Sequence, residues 1–376
     1  MRFRVEHDTL AEAVAWAART LPTRPSLPML AGLMIESRPA GLTLSSFDYE
    51  VSARVEIPAQ VEDGGRVLVS GRLLADIARA LPTQPVEITV EGSRAEVRCG
   101  RSTFVLPTLP VEDYPTLPSM PTTSGTVPGA TFATAVHQVT IAAGRDDTLP
   151  TLTGVRVEIV NDLVTLAATD RYRLAVREFS WSPEQPGLEA TALVPARTLA
   201  ETSKSLAGCE IVQLALASGG VGEGLIGFEG DGRRTTSRLL DGEFPKYRAL
   251  LPTESATLAS VDTATLVEAV KRVALVADRG TPIRLAFKDS EVVLRAGTGD
   301  EAQAEDQVEC GVDGDAIEIA FNPTYLLEGL AAIDAPVAKL SFINATRPAV
   351  LYGAASLEAD MEQNYRYLLM PVRLAN

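Results

Sequence analysis

The chain repeats itself three times, and that repetition limits its possible folds more than any other feature of its 376 residues. An amphipathic helical pattern occurs as LAEAVAWAARTL from Leu10, FATAVHQVTIAA from Phe132 and LVEAVKRVALVA from Leu266, with starts 122 and 134 residues apart. Apolar residues fall at helical spacing in each copy, and each follows a threonine, Thr9, Thr131 or Thr265, placed to open the helix. A second helical pattern keeps the same phase: VSGRLLADIARAL from Val69, VPARTLAETSKSL from Val194 and FNPTYLLEGLAAI from Phe321, offset by 125 and 127 residues. Between and after these patterns apolar and polar residues alternate, as in VEITVEGSRAEVRC and LVTLAATDRYRLAVREF, which is the period of antiparallel strands. The first two copies also end alike, in LPVEDYPTLP and LDGEFPKYRALLP. Accident does not explain two helices and an ending in register, and a period this long repeats whole domains rather than solenoid turns.

The expected fold is therefore α+β, in three domains spanning 1–120, 125–252 and 255–376. The linkers are the Pro/Thr/Ser-rich stretch LPSMPTTSGTVPG (117–129) and LLPTESAT from Leu250. No apolar run approaches the roughly 18–20 residues of a membrane crossing, and the opening MRFRVEHDTLAEAVAW lacks the apolar core of a signal peptide, so a cytoplasmic location is expected. Cys99, Cys209 and Cys310 are far apart, form no CxxC, and read as small core residues.

Sequence motifs for catalysis are weak. The two histidines, His7 and His137, belong to no HExxH, and there is no GxSxG or GK[ST]. GEGLIG, with Gly222, Gly224 and Gly227, has GxGxxG spacing but leads into the strand-like IGFEGDG, not into a helix, so no dinucleotide site is expected. Asp146 and Asp147 in AAGRDDTLP read as a solvated turn; an acid/base or metal-dependent hydrolase using them with Asp170 is a remote alternative. No cofactor is called for. Two segments are less easily taken as scaffold: ATDRYRLAV (168–176), where charges interrupt a strand pattern, and the tail YRYLLMPVRLAN, whose apolar residues must dock on the body or serve a partner.

The segments RPSLPML, GRSTFVLPTLPVEDYP, ATDRYRLAV, LDGEFPKYRALLP and the terminal MPVRL, in this order and on this repeat, resemble the bacterial β sliding clamps, the β subunit of DNA polymerase III. The resemblance covers essentially the whole chain. It implies the DNA clamp fold: a head-to-tail homodimer closed into a ring of six domains, with helices lining the hole and sheets outside. The function it implies is a non-catalytic processivity factor of chromosomal replication, nucleoid-associated, that encircles duplex DNA without sequence readout. The implied partners are the replicative polymerase catalytic subunit, the clamp loader and repair polymerases, each docking a short peptide. By matching positions the peptide groove is formed by Leu152, Thr169, Arg171, Tyr172, Arg173, Leu174, Pro245, Ala249 and Leu250, with Leu368, Leu369, Met370, Pro371, Val372, Arg373 and Leu374 from the tail. Three departures stand out: Arg171-Tyr172 where the family often has Gly-His, the short Ala249, and Ala375-Asn376 after Leu374. A multidomain scaffold or small-ligand binding protein is the alternative from another class.

Helix width agrees with a dimer. Six helices at roughly 10 Å each span about 60 Å of arc, whereas a hole of about 35 Å, wide enough for a hydrated duplex, has a circumference near 110 Å. Charge is the apparent objection, because 34 Lys+Arg against 49 Asp+Glu gives −15, which taken alone repels phosphate. Counted over the six helical patterns the sum is instead +2, so a mildly basic lining under an acidic exterior is expected. The DNA-contact candidates are Arg24, Arg72, Arg145, Arg197, Lys204 and Arg279.

Overall fold

A computed structural model describes residues 1–216, 224–277, 281–297 and 302–373. Gly222, Arg279 and Leu374 lie outside the described residues, as do Ala375 and Asn376. Among the described residues each third of the chain has one element order: a strand, a helix, five strands, a second helix and three strands. The helices are α1 (His7–Ala17), α2 (Gly71–Ala80), α3 (Gly129–Thr140), α4 (Ala196–Leu206), α5 (Thr263–Ala274) and α6 (Pro323–Ala331).

The helices form where apolar residues recur on one face. In α2, Leu74, Ala75, Ile77 and Ala78 are buried while Arg72, Leu73, Asp76 and Arg79 face water; in α5, Leu266, Ala269, Val270 and Val273 are buried. The threonines expected to open the first helix of each copy do not do so. α1 begins at His7, before Thr9, directly after the strand Arg2–Val5, and has no side-chain cap. α3 begins at Gly129, two residues before Thr131, where an added Cβ would stand 2.3 Å from the Cys209 carbonyl oxygen. In α5 the cap is Asp262, whose carboxylate accepts from the Thr265 N–H at 2.8 Å, so Thr265 is the donor. The second-helix pattern hides a stronger signal: in α6 the Asn322 side chain accepts from the N–H groups of Thr324 and Tyr325 ahead of Pro323.

The stretch 117–129 is not linker throughout. Its last residues form the strand Gly125–Pro128, with Val127 buried opposite Val212, and Gly129 already belongs to α3. The three cysteines are buried and free.

The chain groups into two compact units. One contains 1–130, 182–186 and 201–239 and holds a single antiparallel sheet of fourteen strands, with Phe3, Val14, Leu33, Leu44, Val69 and Ile88 among the core residues. Within it the strand Val51–Ile57 of the first repeat pairs with Arg233–Arg238, the last strand of the second. The other unit contains 131–181, 187–200 and 240–376 and holds a nine-stranded and a four-stranded sheet. There the strand Arg173–Ser180 of the second repeat pairs with Tyr365–Leu369, the last strand of the third. The same two positions of the repeat are thus joined at both seams. Among the described residues no helix is long and apolar enough to cross a membrane.

Candidate functional site

ATDRYRLAV folds as two strands, Leu163–Thr169 and Arg173–Ser180, joined by a turn at 170–172. The turn holds itself together. Asp170 accepts from the N–H groups of Tyr172 and Arg173, each at 3.0 Å, and Thr169 Oγ1 donates to the Arg173 carbonyl at 2.6 Å. Arg171 has φ +80°, the left-handed region, and donates its N–H to Thr169 Oγ1 at 3.3 Å.

Arg173 joins this turn to α6. Only 4% of its side chain is exposed; its Nε donates to Asp170 at 3.0 Å, its Nη1 donates to Glu328, and its guanidinium lies 4.2 Å from the Tyr325 ring centre. Tyr325 stacks on Tyr172 with centroids 6.4 Å apart, and accepts at its carbonyl from the Tyr367 hydroxyl at 2.8 Å. Burial pushes the Tyr367 hydroxyl pKa well up, so it stays a donor. Around these groups opens a cavity of about 440 Å³. Of the residues expected in the groove, Leu152, Arg171, Tyr172 and Arg173 line it; Arg145, expected at DNA, lines it too and stands 3.9 Å from Glu328.

Beside the cavity, Leu174, Phe244, Tyr247 and Leu368 form an apolar cluster with Val350 and Tyr352. The short helical turn Tyr247–Leu250 is fixed over the sheet by Glu158, which accepts from the Tyr247 hydroxyl at 3.0 Å, from Arg156 at 2.5 Å and from Arg248. Burial works against the Glu158 charge, but the hydrogen bonds from Arg248, Arg156 and Tyr247 outweigh it and hold the carboxyl below the usual range.

The expected groove residues divide by burial. Tyr172, Leu250, Met370 and Val372 are exposed apolar side chains, and Pro245 and Ala249 are exposed beside Leu250. Thr169, Leu174, Leu368 and Leu369 are buried, Leu369 completely, so they lie beneath this surface and anchor the tail as a strand. Beyond the strand the tail stays tied: Met370 N–H donates to the Tyr172 carbonyl and Val372 N–H to that of Ala320. Pro371 is half-buried and Arg373 exposed.

Leu149, Asp146, Asp170, Thr324, Tyr325 and Glu328 also line the cavity and were not singled out as groove residues in the sequence. A signal for Tyr325 existed: the repeat puts it where the other copies have Leu73 and Thr198, so only the third copy carries an aromatic ring there. The hydrolase alternative finds no support. Asp146 caps its own turn by accepting from Thr148 N and Oγ1, Asp170 is committed to its turn and Arg173, and no metal-holding group of three occurs among the described residues.

Arg24, Arg72, Arg197 and Lys204 are exposed. Arg24 and Lys204 have no ion pair among the described residues, and Arg72 donates to the Leu21 carbonyl at 3.4 Å. The helix bounds correct the charge count. α1 holds Asp8 and Glu12 but not Arg19, α2, α4 and α5 each carry one net positive charge, α3 none and α6 one negative, so the six helices are neutral rather than +2.

Family profiles for the DNA polymerase III beta subunit match the chain in three parts: the N-terminal domain over 1–118, the central domain over 126–246 and the C-terminal domain over 248–373. The beta sliding clamp of Streptomyces coelicolor is 62% identical over 375 residues, covering 100% of both chains. Among solved structures, the DNA polymerase sliding clamp of Bacillus subtilis superposes with a TM-score of 0.91 at 25% identity, covering 100% of both chains. A Pseudomonas aeruginosa sliding clamp bound to griselimycin gives 0.91 at 26%, also covering 100% of both.

Proposed function

The chain belongs to the DNA polymerase III beta subunit family, the bacterial β sliding clamps, and from that premise we propose that two copies close head to tail into a ring around duplex DNA. It has the three-domain clamp fold and is the non-catalytic processivity factor of DNA polymerase III in DNA replication, with DNA and the polymerase as partners. The domains we take as 1–120, 125–252 and 255–376, and the place of action as the cytoplasm, at the nucleoid.

The observation that carries the ring is the pairing at the two seams. Val51–Ile57 pairs with Arg233–Arg238, and Arg173–Ser180 with Tyr365–Leu369. By element order, the third repeat's counterpart of Val51–Ile57 and Arg173–Ser180 is Ala304–Glu309, an outermost strand of the four-stranded sheet. The first repeat's counterpart of the two terminal strands is Ser102–Leu109, which bonds the strand Gly65–Ser70 only through Thr108 and Leu109 and leaves Phe104 and Val105 exposed. Among the described residues both strands thus keep an open edge that a second copy would pair, and such a head-to-tail contact closes by rotation. The edges also differ in charge: Glu305, Asp306 and Glu309 lie on one, the first two paired with Arg295 and Arg272, while Arg94, Arg98 and Arg101 lie on or beside the strand next to the other, where Glu96 pairs with Arg98.

The cavity and the exposed apolar residues around it support a groove for short peptides of the polymerase catalytic subunit, the clamp loader and repair polymerases: a few anchors, a polar rim, and affinity low enough for exchange. We take griselimycin, bound by the Pseudomonas clamp, to bind this chain as well. The test is to size the native assembly and then load it on nicked circular and on linear DNA. A dimer retained on circles and lost from free ends is expected; a monomer, or equal loss from both, overturns the ring.

A further inference from the structure

The two seams use the same pair of strands of the repeat but are filled differently. In the second, Leu174, Ala175 and Val176 stand opposite Leu368, Tyr367 and Arg366, and all but Arg366 are buried. Ala167, Leu174 and Val176 of one repeat and Val350, Tyr352 and Leu368 of the next belong to one apolar cluster. Helix α3 is tied across as well: the buried Gln138 donates from Nε2 to the Ala332 carbonyl at 2.9 Å, and its own carbonyl accepts from the Tyr365 hydroxyl at 3.2 Å.

The offset of 122 residues puts Ser45, Ser52 and Arg54 of the first repeat where the second has Ala167, Leu174 and Val176. Thr236 faces Ser52 as Leu368 faces Leu174, so a buried hydroxyl pair with oxygens 2.6 Å apart replaces two leucines. Arg54 faces Arg234, a like-charge pair, and each bonds a carboxylate of its own repeat, Glu56 at 2.9 Å and Glu229 at 2.7 Å. Glu56 acts on Arg234 across the seam without bonding it. Helix α1 reaches the second repeat through Glu12 and Arg233, an ion pair in which Glu12 is 71% exposed. Apolar contacts hold a seam in proportion to the area they remove from water, whereas a hydroxyl pair nets far less, because its hydrogen bond replaces bonds to water.

From this contrast we propose that the first seam is the hinge of the ring: when the ring opens, Val51–Ile57 and Arg233–Arg238 yield while Arg173–Ser180 and Tyr365–Leu369 hold. This rests on the ring reading above and adds where each chain bends. Parting a dimer contact admits a duplex only if the chains bend, and bending concentrates where the fewest buried apolar contacts resist it. Ser52 and Thr236 suit a hinge because their bond exchanges with water at little cost, and the facing Arg54 and Arg234 push the same two strands apart.

Two measurements on the full chain test this. In hydrogen exchange read by mass spectrometry, amides bonded across the first seam are expected to exchange at least about tenfold faster than those bonded across the second. The other measurement uses a chain carrying Ser52→Cys with Thr236→Cys, whose sulfurs replace the paired oxygens, and follows its release from nicked circular DNA with the crosslink formed and reduced. The crosslink is expected to slow release at least about fivefold, and dithiothreitol to restore it, with the dimer intact in both states. Exchange that is equal at the two seams or faster at the second overturns the proposal, and so does release at one rate in both states. A chain retained on circles in neither state overturns the ring reading, and the exchange comparison still decides which seam yields.

Discussion

Arg173 shows what holds the site together at the scale of one residue. A buried guanidinium is tolerated only when its donors are answered, and here they are answered by Asp170 in one repeat and Glu328 in the next. Replacing Glu328 by Ala leaves the buried cation with one carboxylate partner and loosens α6 from the turn. We expect a loss of about 1–3 kcal/mol in urea unfolding, with peptide affinity falling alongside. Glu158 makes a second prediction, with a pH sign. Its carboxyl sits below its usual 4.5 because Arg248, Arg156 and Tyr247 favour the charge against burial, so its contribution to stability is complete above about pH 4.5 and is lost as pH falls through the folded value. The stability difference between the unaltered chain and Glu158→Gln should therefore be constant at neutral pH and narrow below about pH 4.5, measured by denaturant titration at each pH. A difference that grows on acidification would mean that Glu158 is not held ionised by these donors.

At the scale of elements, the tail strand Tyr365–Leu369 does two jobs in five residues. It lies between Arg173–Ser180 and Ala349–Ala354, with Leu369 fully buried, and the next residues are exposed beside the cavity. Deleting 370–376 should lower peptide affinity at least tenfold while the dimer persists in sedimentation; deletion from 365 removes the central pairing of the nine-stranded sheet and should prevent folding. The open edges give a further test. Val105→Glu puts a carboxylate on Ser102–Leu109, where we expect a second copy's Glu305 and Asp306 to dock, and should weaken dimerisation at least tenfold by ultracentrifugation without unfolding the monomer. The repeat, the alternation and the tail's ambiguity were legible in the sequence because periodicity records which face is buried. The helix starts were not: a threonine at Thr9 or Thr131 looks like a cap, but the end of the preceding strand decides where the helix begins. Tyr325 and Glu328 were also missed, because periodicity assigns them to a helix without telling that Arg173, 155 residues earlier in sequence than Glu328, lies against them.

For the whole molecule the charge now carries a different consequence. A mildly basic helix set would have supplied some phosphate affinity, but within the observed bounds the six helices sum to zero. The exposed cations we propose for DNA include Arg24 and Lys204, in a chain of −15. If retention depended on such contacts it would be weak and steeply salt-sensitive: a protein making six to ten phosphate contacts loses roughly 10³–10⁵ in affinity between 50 and 200 mM salt. A closed ring is held by topology, and salt acts only on the closure. We therefore expect the half-life of the loaded dimer on nicked circular DNA to change less than about threefold over that salt range, while loss from linear DNA stays fast throughout. We expect the double substitution Arg24→Ala with Lys204→Ala to slow loading and to leave retention on circles intact, as cations that steer the encounter without holding the duplex would. A retention time on circles that falls by orders of magnitude with salt, or with those two substitutions, would mean that contacts rather than enclosure keep the protein on DNA.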